Sequence, residues 1–235
     1  MTAQELYDFF RSTVDDTVEP YLWSDTEVWA YMNDAQWMFC RLAYGISDAS
    51  TTSVVEVTVT AAEKFSALHP SILQIRRAER ASDGRPLSIV NFEDMDNPGA
   101  VRDDYGLTPA FPRGSLLDST AGPVNYMVIG MEDNKARWVS VPEVADTVNL
   151  VVYRGPLNEL TVDTGPDAGL EIDKMHHIHL IDWMKRLAYG KQDAETFDTE
   201  ESEEAGREFT GYCDQAKADW DRKRHKPRLI SYGGL

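Results

Sequence analysis

The chain has 235 residues, 42% of them hydrophobic and 10% aromatic, enough for one globular domain or for a domain carrying an insertion. A formal net charge of -17 excludes a general nucleic-acid binder, which needs a dense Lys/Arg surface to neutralise phosphates. No apolar run approaches the roughly 20 residues that span a bilayer, so no membrane association is expected, and MTAQELYDFFRSTVDD lacks the basic-then-apolar order of a secretory signal.

In chain order, residues 2 to 18 are expected to form a short helix whose stripe is Leu6, Phe9, Phe10 and Val14, ended by Pro20. Ser24 and Glu27 make an S-x-x-E capping box at the entry to a longer helix reaching about Tyr44. Val28, Met32, Ala35, Phe39 and Leu42 share one face of that helix, and Gly45 is placed to follow its C-cap. From Thr52 the period changes to alternation. TSVVEVTVT, SILQIRRAER and RPLSIVNF read as strands, the last two flanking a turn at Ser82-Asp83-Gly84. After an irregular stretch from 94 to 115, PVNYMVIGM, ARWVSV and TVNLVVYRG read as three more. The six point to a small antiparallel sheet or sandwich inserted between helices.

Past Pro156 a helical pattern returns from about Asp173 to Gly190, with Ile178, Ile181, Met184 and Leu187 or Ala188 as its buried stripe. A last helix begins near Asp198 or Thr199, its acidic first turn matched to the positive end of the helix dipole. Its apolar positions are Ala205, Phe209, Tyr212 or Cys213, Ala216 and Trp220, and it must stop by Pro227. The fold class expected is therefore α+β: a bundle of long antiparallel helices with an inserted antiparallel β-sheet or sandwich module and an extended C-terminal arm. Residues 1–51 and 156–221 would form the helical domain, 52–155 the β module and 222–235 the arm. Cys40 and Cys213 fall on helical patterns far apart, which fits two buried thiols in a reducing compartment. WMFCRLAYGISDA at 37–49 and WMKRLAYGKQDA at 183–194 share RLAYG-x-x-DA, which reads as the ends of a quasi-symmetric helix pair.

His176, His177 and His179 are the clustered metal-capable residues. On a helix His176 and His179 would face alike with Asp182, the basis of a rival reading as a metal-dependent hydrolase. The spacing is not H-E-x-x-H, and packed histidines are the plainer account. Asp193, Glu195 and Asp198 read as the capping residues of the next helix rather than as paired catalytic carboxylates. No phosphate loop, dinucleotide fingerprint or nucleophile elbow occurs, so no catalytic residue, cofactor or metal site is expected.

The informative pattern is charge. Residues 198–221 hold nine Asp/Glu against two Lys/Arg, whereas 222–235 hold five Lys/Arg and no acid. A basic segment ending in Tyr232-Gly233-Gly234-Leu235 suits an arm that docks into an acidic groove on another protein.

With these parts in order, MHHIHLIDWMKRLAYGKQDAETFD, the acidic helix and KPRLISYGGL resemble the head-to-tail connector (adaptor) proteins of tailed bacteriophages. The Trp-rich helix SDTEVWAYMNDAQWMF and the β insertion with RRAER and GRPLSI fit the same order of parts. The resemblance implies a virion structural protein without catalysis. It implies a homo-oligomeric ring, commonly of twelve copies, at the portal vertex or neck, assembled in the host cytoplasm. Tail or nozzle proteins would lie on the other side, and DNA would pass through the lumen without specific binding. It also implies portal binding through the arm, here Arg222, Lys223, Arg224, Lys226, Arg228, Tyr232 and Leu235. Trp29, Trp37, Trp183 and Tyr189 are candidate intersubunit anchors, since they cannot all face one slim helical core. A tail-side neck protein that never touches the portal, and an accessory domain binding a host protein through the β module, are the other readings.

Overall fold

The computed structural model describes residues 1–93, 121–164, 168–192 and 196–224. The chain divides into two units, Met1–Ile46 with Gly155–Leu235, and Ser47–Arg154.

The first unit is helical. Helix α1 (Ala3–Thr13) opens on a capping box: Thr2 accepts from the Glu5 N–H while Glu5 accepts from the Thr2 N–H. It stops well short of residue 18 because Asp15 turns left-handed (φ 55°) and the Asp16 carboxylate gathers Arg11 and the N–H groups of Leu22 and Trp23. Leu6, Phe10 and Val14 are buried as expected, whereas Phe9 stays exposed. Helix α2 (Asp25–Leu42) starts at the Ser24/Glu27 box. Its C-cap is Ala43, and Tyr44 and Gly45 both adopt positive φ of 75°, so the residue directly after the cap is Tyr44 and the glycine is the second left-handed residue.

The single helix expected from 173 to 190 is two pieces. A 3-10 turn, Lys174–His179, leads into helix α4 (Leu180–Tyr189), the fourth helix in chain order. His176 and His177 are buried, while Met175 and Ile178 point outward one 3-10 turn apart. Ile178 therefore leaves the expected core stripe and Leu180 joins it. Helix α5 (Thr199–Arg224) is capped by Asp198, whose carboxylate accepts from the Glu200 and Glu201 N–H groups at 3.0 and 3.1 Å. Its buried face is Ala205, Gly206, Phe209, Cys213 and Ala216. Cys40 and Cys213 are free, buried thiols in this core, and burial with nearby Asp214 pushes the Cys213 thiol up to about 12.

The second unit holds strands β1 (Ile46–Asp48), β2 (Glu56–Val59), β3 (Phe65–Ala67), β4 (Ile72–Arg80), β5 (Pro86–Asn91), β6 (Ala121–Gly122), β7 (Tyr126–Ile129), β8 (Lys135–Trp138), β9 (Val141–Pro142) and β10 (Asp146–Arg154). The expected antiparallel sheet or sandwich is instead one mixed eight-stranded sheet in the order β1-β10-β4-β5-β7-β8-β3, with β2 also on β10 and β6-β9 as a separate pair. Within the eight-stranded sheet β5 runs parallel to β7, Ser88 opposite Tyr126 through Asn91 opposite Ile129, and the separate β6-β9 pair is parallel too. Parallel neighbours cannot be joined by a hairpin, and residues 92–125 separate the two strands in the chain.

The sheet curls. The Ser66 hydroxyl on β3 donates to the Thr58 carbonyl on β2 at 2.6 Å and accepts from the Trp138 indole at 3.0 Å, drawing the two ends of the strand order together around Trp138, Met127, Val59 and Val148. TSVVEVTVT is not all strand: helix α3 (Thr52–Val55) precedes β2. Asp48 starts that turn by accepting from the Ser50 and Thr51 N–H groups at 2.9 and 3.0 Å, and Val54 and Val55 are buried side by side, which an alternating strand forbids.

Candidate functional site

The three histidines are packing residues in this fold. His176 Nδ1 lies 2.8 Å from the Tyr212 hydroxyl and its ring sits 4.6 Å from Phe39. His179 lies flat on Tyr212, ring centroids 3.5 Å apart. His177 is 1% exposed, with Nδ1 2.9 Å from the Met1 carbonyl oxygen and Nε2 2.9 Å from that of Ile172. Burial lowers the pKa values of His176 and His179. Asp182, drawn with them from sequence, sits instead near Glu208; burial, together with that second carboxylate and against Lys185, pushes it up to about 6. Among the described residues no group of three His, Cys, Asp or Glu side chains is placed to hold a metal ion.

The four aromatic candidates divide. Trp29 is 5% exposed and stacks on Tyr7, and Trp183 is 6% exposed with its indole donating to Asp34 at 2.7 Å and its ring between Phe209 and Arg186. Burial inside the subunit leaves those two rings little surface to offer a neighbour. Trp37 and Tyr189 are half-buried. Trp37 lies against the backbone of Gly155, where an added Cβ would come within 2.2 Å of the ring, and Tyr189 meets the edge of Trp23. The Trp23 indole in turn donates to the Ala188 carbonyl at 3.1 Å.

The charge reversal falls on one helix. At 26 residues α5 is about 39 Å long. Its acidic face begins at the N-terminal end, and Arg222, Lys223 and Arg224 form its last turn. These three are thus helical, and cations there suit the negative end of the helix dipole; Lys226, Arg228, Tyr232 and Leu235 lie outside the described residues. Arg222 pairs with Asp219 at 2.7 Å and Lys223 lies over Trp220 at 5.9 Å.

Sequence reading missed what grips this end. Tyr44, just past α2, carries Lys217 over its ring at 5.1 Å and Arg224 at 5.5 Å, and its hydroxyl reaches Asp221 at 3.3 Å. Lys217, Asp221 and Arg224 are spaced four and three apart, one face of α5. The RLAYG echo was the available signal, since it singled out Tyr44, but the two copies do different work. Gly190, matching Gly45, is the C-cap of α4 with φ −77°, and an added Cβ would sit 2.8 Å from the Arg186 carbonyl and 3.2 Å from Ser202 Oγ.

No helix among the described residues is long and apolar enough to cross a membrane. No curated protein matches the chain significantly. Comparison with protein families matches residues 1–228 to the SU10 adaptor protein family. The matched span contains the helical unit, the β insertion and the basic end of α5 in the order described above, and the chain belongs to the SU10 adaptor protein family of phage adaptor proteins.

Proposed function

We propose that this phage adaptor protein is a non-enzymatic virion component that forms a ring, of about twelve copies as its resemblance to phage connectors implies, between the portal and the tail or nozzle proteins. The observation that carries the reading is the polarity of α5: acids along its length, three cations in its last turn, and a basic segment from 225 to 235 beyond it. Tyr44 holds the basic end of α5, and a basic sequence following an acidic helix suits an arm entering an acidic groove on the portal. A lumen lined by acidic surface lets DNA slide, because like charge prevents the phosphate contacts that would hold it. Of the four aromatic candidates, Trp37 and Tyr189 keep surface for a neighbouring subunit.

Electron microscopy of the purified chain, alone and mixed with its portal, tests the proposal. Rings with the portal attached are expected, and removal of residues 225–235 should abolish attachment while leaving the ring. A truncated chain that still binds the portal refutes the arm; one that assembles only on tail proteins makes it a tail-side neck protein.

A further inference from the structure

A groove of about 410 Å³ opens beside α2, lined by Asn33, Asp34 and Trp37 and by residues 156–159. All of these belong to the helical unit. Its walls are fixed by hydrogen bonds and packing. Asn33 holds the Leu160 backbone, donating from Nδ2 to the carbonyl at 2.7 Å and accepting from the N–H at 2.9 Å. Glu171 accepts from the Leu157 and Asn158 N–H groups, both at 2.7 Å, and Asp34 accepts from the Trp183 indole at 2.7 Å. Trp37 is pinned against the Gly155 backbone, too close to admit a Cβ there. The apolar part of the lining is Trp37, Pro156 and Leu157, the last 36% exposed. The charged lining residues, Asp34 and Glu159, are both acidic and exposed, whereas Arg41, one turn beyond Trp37, is not part of the lining.

One basic segment is tethered within reach of this groove. Arg224, the last residue of α5, lies over the Tyr44 ring, and Tyr44 is seven positions and about 10 Å along α2 from Trp37. The chain goes on as HKPRLISYGGL, with Lys226, Arg228, Leu229, Ile230 and Tyr232 and no acidic side chain. Eight extended residues, enough to reach Tyr232, span about 26 Å. That exceeds the axial distance and a helix diameter of about 10 Å together. A segment on so short a tether meets the groove at an effective concentration of about a millimolar, so a weak contact fills it, and an untethered partner of the same charge is at a disadvantage. Cations on aromatic rings already recur at this end of α5, with Lys217 and Arg224 on Tyr44 and Lys223 on Trp220.

We infer that in the free subunit the 226–232 segment folds back onto the Trp37 groove of its own chain, and that the portal draws it out. The inference rests on the arm reading above and says where the arm lies before the portal takes it. While the segment occupies the groove, Trp37 is covered against a neighbouring subunit. Portal attachment and the surface around Trp37 therefore become available together.

Cross-linking of the full chain tests the fold-back, native Cys40 and Cys213 being buried. A chain carrying both Asn158→Cys and Ser231→Cys, treated with a short bismaleimide, should give an internally linked monomer that runs ahead of the parent on a denaturing gel, in a yield unchanged by dilution. Glu159→Lys, at an exposed position, and Trp37→Ala should each cut that yield several-fold. A yield indifferent to both overturns the inference, because a loose tether would react as well without the groove. A linked dimer from a mixture of the two single cysteine variants, in place of the monomer product, overturns it in favour of a neighbour's groove. Removal of residues 225–235 tests the arm reading separately. Portal attachment that survives the removal overturns that reading and the portal's part in this one, whereas attachment lost without any groove-dependent cross-link overturns the fold-back alone.

Discussion

Tyr44 and Asp221, 177 positions apart in the chain, meet where the Tyr44 hydroxyl reaches both carboxylate oxygens at 3.3 and 3.4 Å. The tyrosine does this from a left-handed backbone (φ 75°), a conformation that costs a non-glycine residue about 1 kcal/mol and that the surrounding contacts must repay. With Lys217 and Arg224 on its ring, Tyr44 is the fixture at the base of the basic segment.

Tyr44→Phe should therefore be mild, because the long hydroxyl contacts are weak and the ring survives to hold both cations. Tyr44→Ala removes the ring and should cost about 1–2 kcal/mol locally. Hydrogen exchange of residues 217–224 should rise in Tyr44→Ala and stay near normal in Tyr44→Phe, and portal attachment should weaken in the same order.

In the β unit, Asp48 and Arg154 form a buried pair at 2.6 Å, their side chains 4% and 10% exposed. Burial works against the Asp48 carboxylate, but the Arg154 guanidinium and the Ser50 and Thr51 N–H groups outweigh it and hold the acid well below the usual carboxylate range. A depressed pKa contributes stability that is present above the unfolded-state value near 4 and lost as pH falls below it. Arg154→Met strands the carboxylate and should destabilise by about 3–5 kcal/mol, measured by urea unfolding at pH 7. The deficit of Arg154→Met against the parent should shrink as the pH is lowered below 4.

Asp182 carries the opposite sign. Its pKa of about 6, raised by burial and by Glu208, means the folded chain binds a proton more tightly than the unfolded chain, so its ionisation opposes folding as pH rises from about 4 through 6. Asp182→Asn should raise the melting temperature at pH 7.5 and change it little at pH 4. An equal rise at both values would assign the effect to packing rather than charge.

The histidines should rank by burial rather than by metal chemistry. His177→Ala leaves the Met1 and Ile172 carbonyls facing an apolar gap and should cost about 2–4 kcal/mol. His176→Ala loses the Tyr212 and Phe39 contacts and should cost about 1–3 kcal/mol. His179→Ala, half-buried on the Tyr212 ring, should cost least. Thermal unfolding with and without chelator checks the series, and a chelator-dependent melting temperature would restore the metal reading.

Much of the helical unit was legible because its signals are local. Ser24 with Glu27, Asp198 ahead of an acidic turn, and the Phe209/Cys213/Ala216 stripe each act within four residues, and each is where the sequence pattern placed it. TSVVEVTVT misled because β-branched residues weigh toward strand, whereas Asp48 supplied turn hydrogen bonds that outcompeted the preference for four residues. The helix expected from Asp173 was broken by a need unseen in periodicity: His177 had to reach two backbone carbonyls at once.

By itself the chain determined the main helices, the strand segments that became β2, β4, β5, β7, β8 and β10, the acidic composition with its basic end, and the resemblance to phage adaptors, because these reside in neighbouring residues and in composition. Only tertiary structure decided that β5 and β7 run parallel, that Ser66 ties together the two ends of a curled sheet, and which tryptophans are consumed inside the subunit. It also decided that Tyr44, rather than Tyr189, grips the end of α5. Those outcomes depend on partners 8 to 177 residues apart, and contacts at such separations are selected by packing and hydrogen-bond satisfaction in three dimensions, which no local spacing encodes.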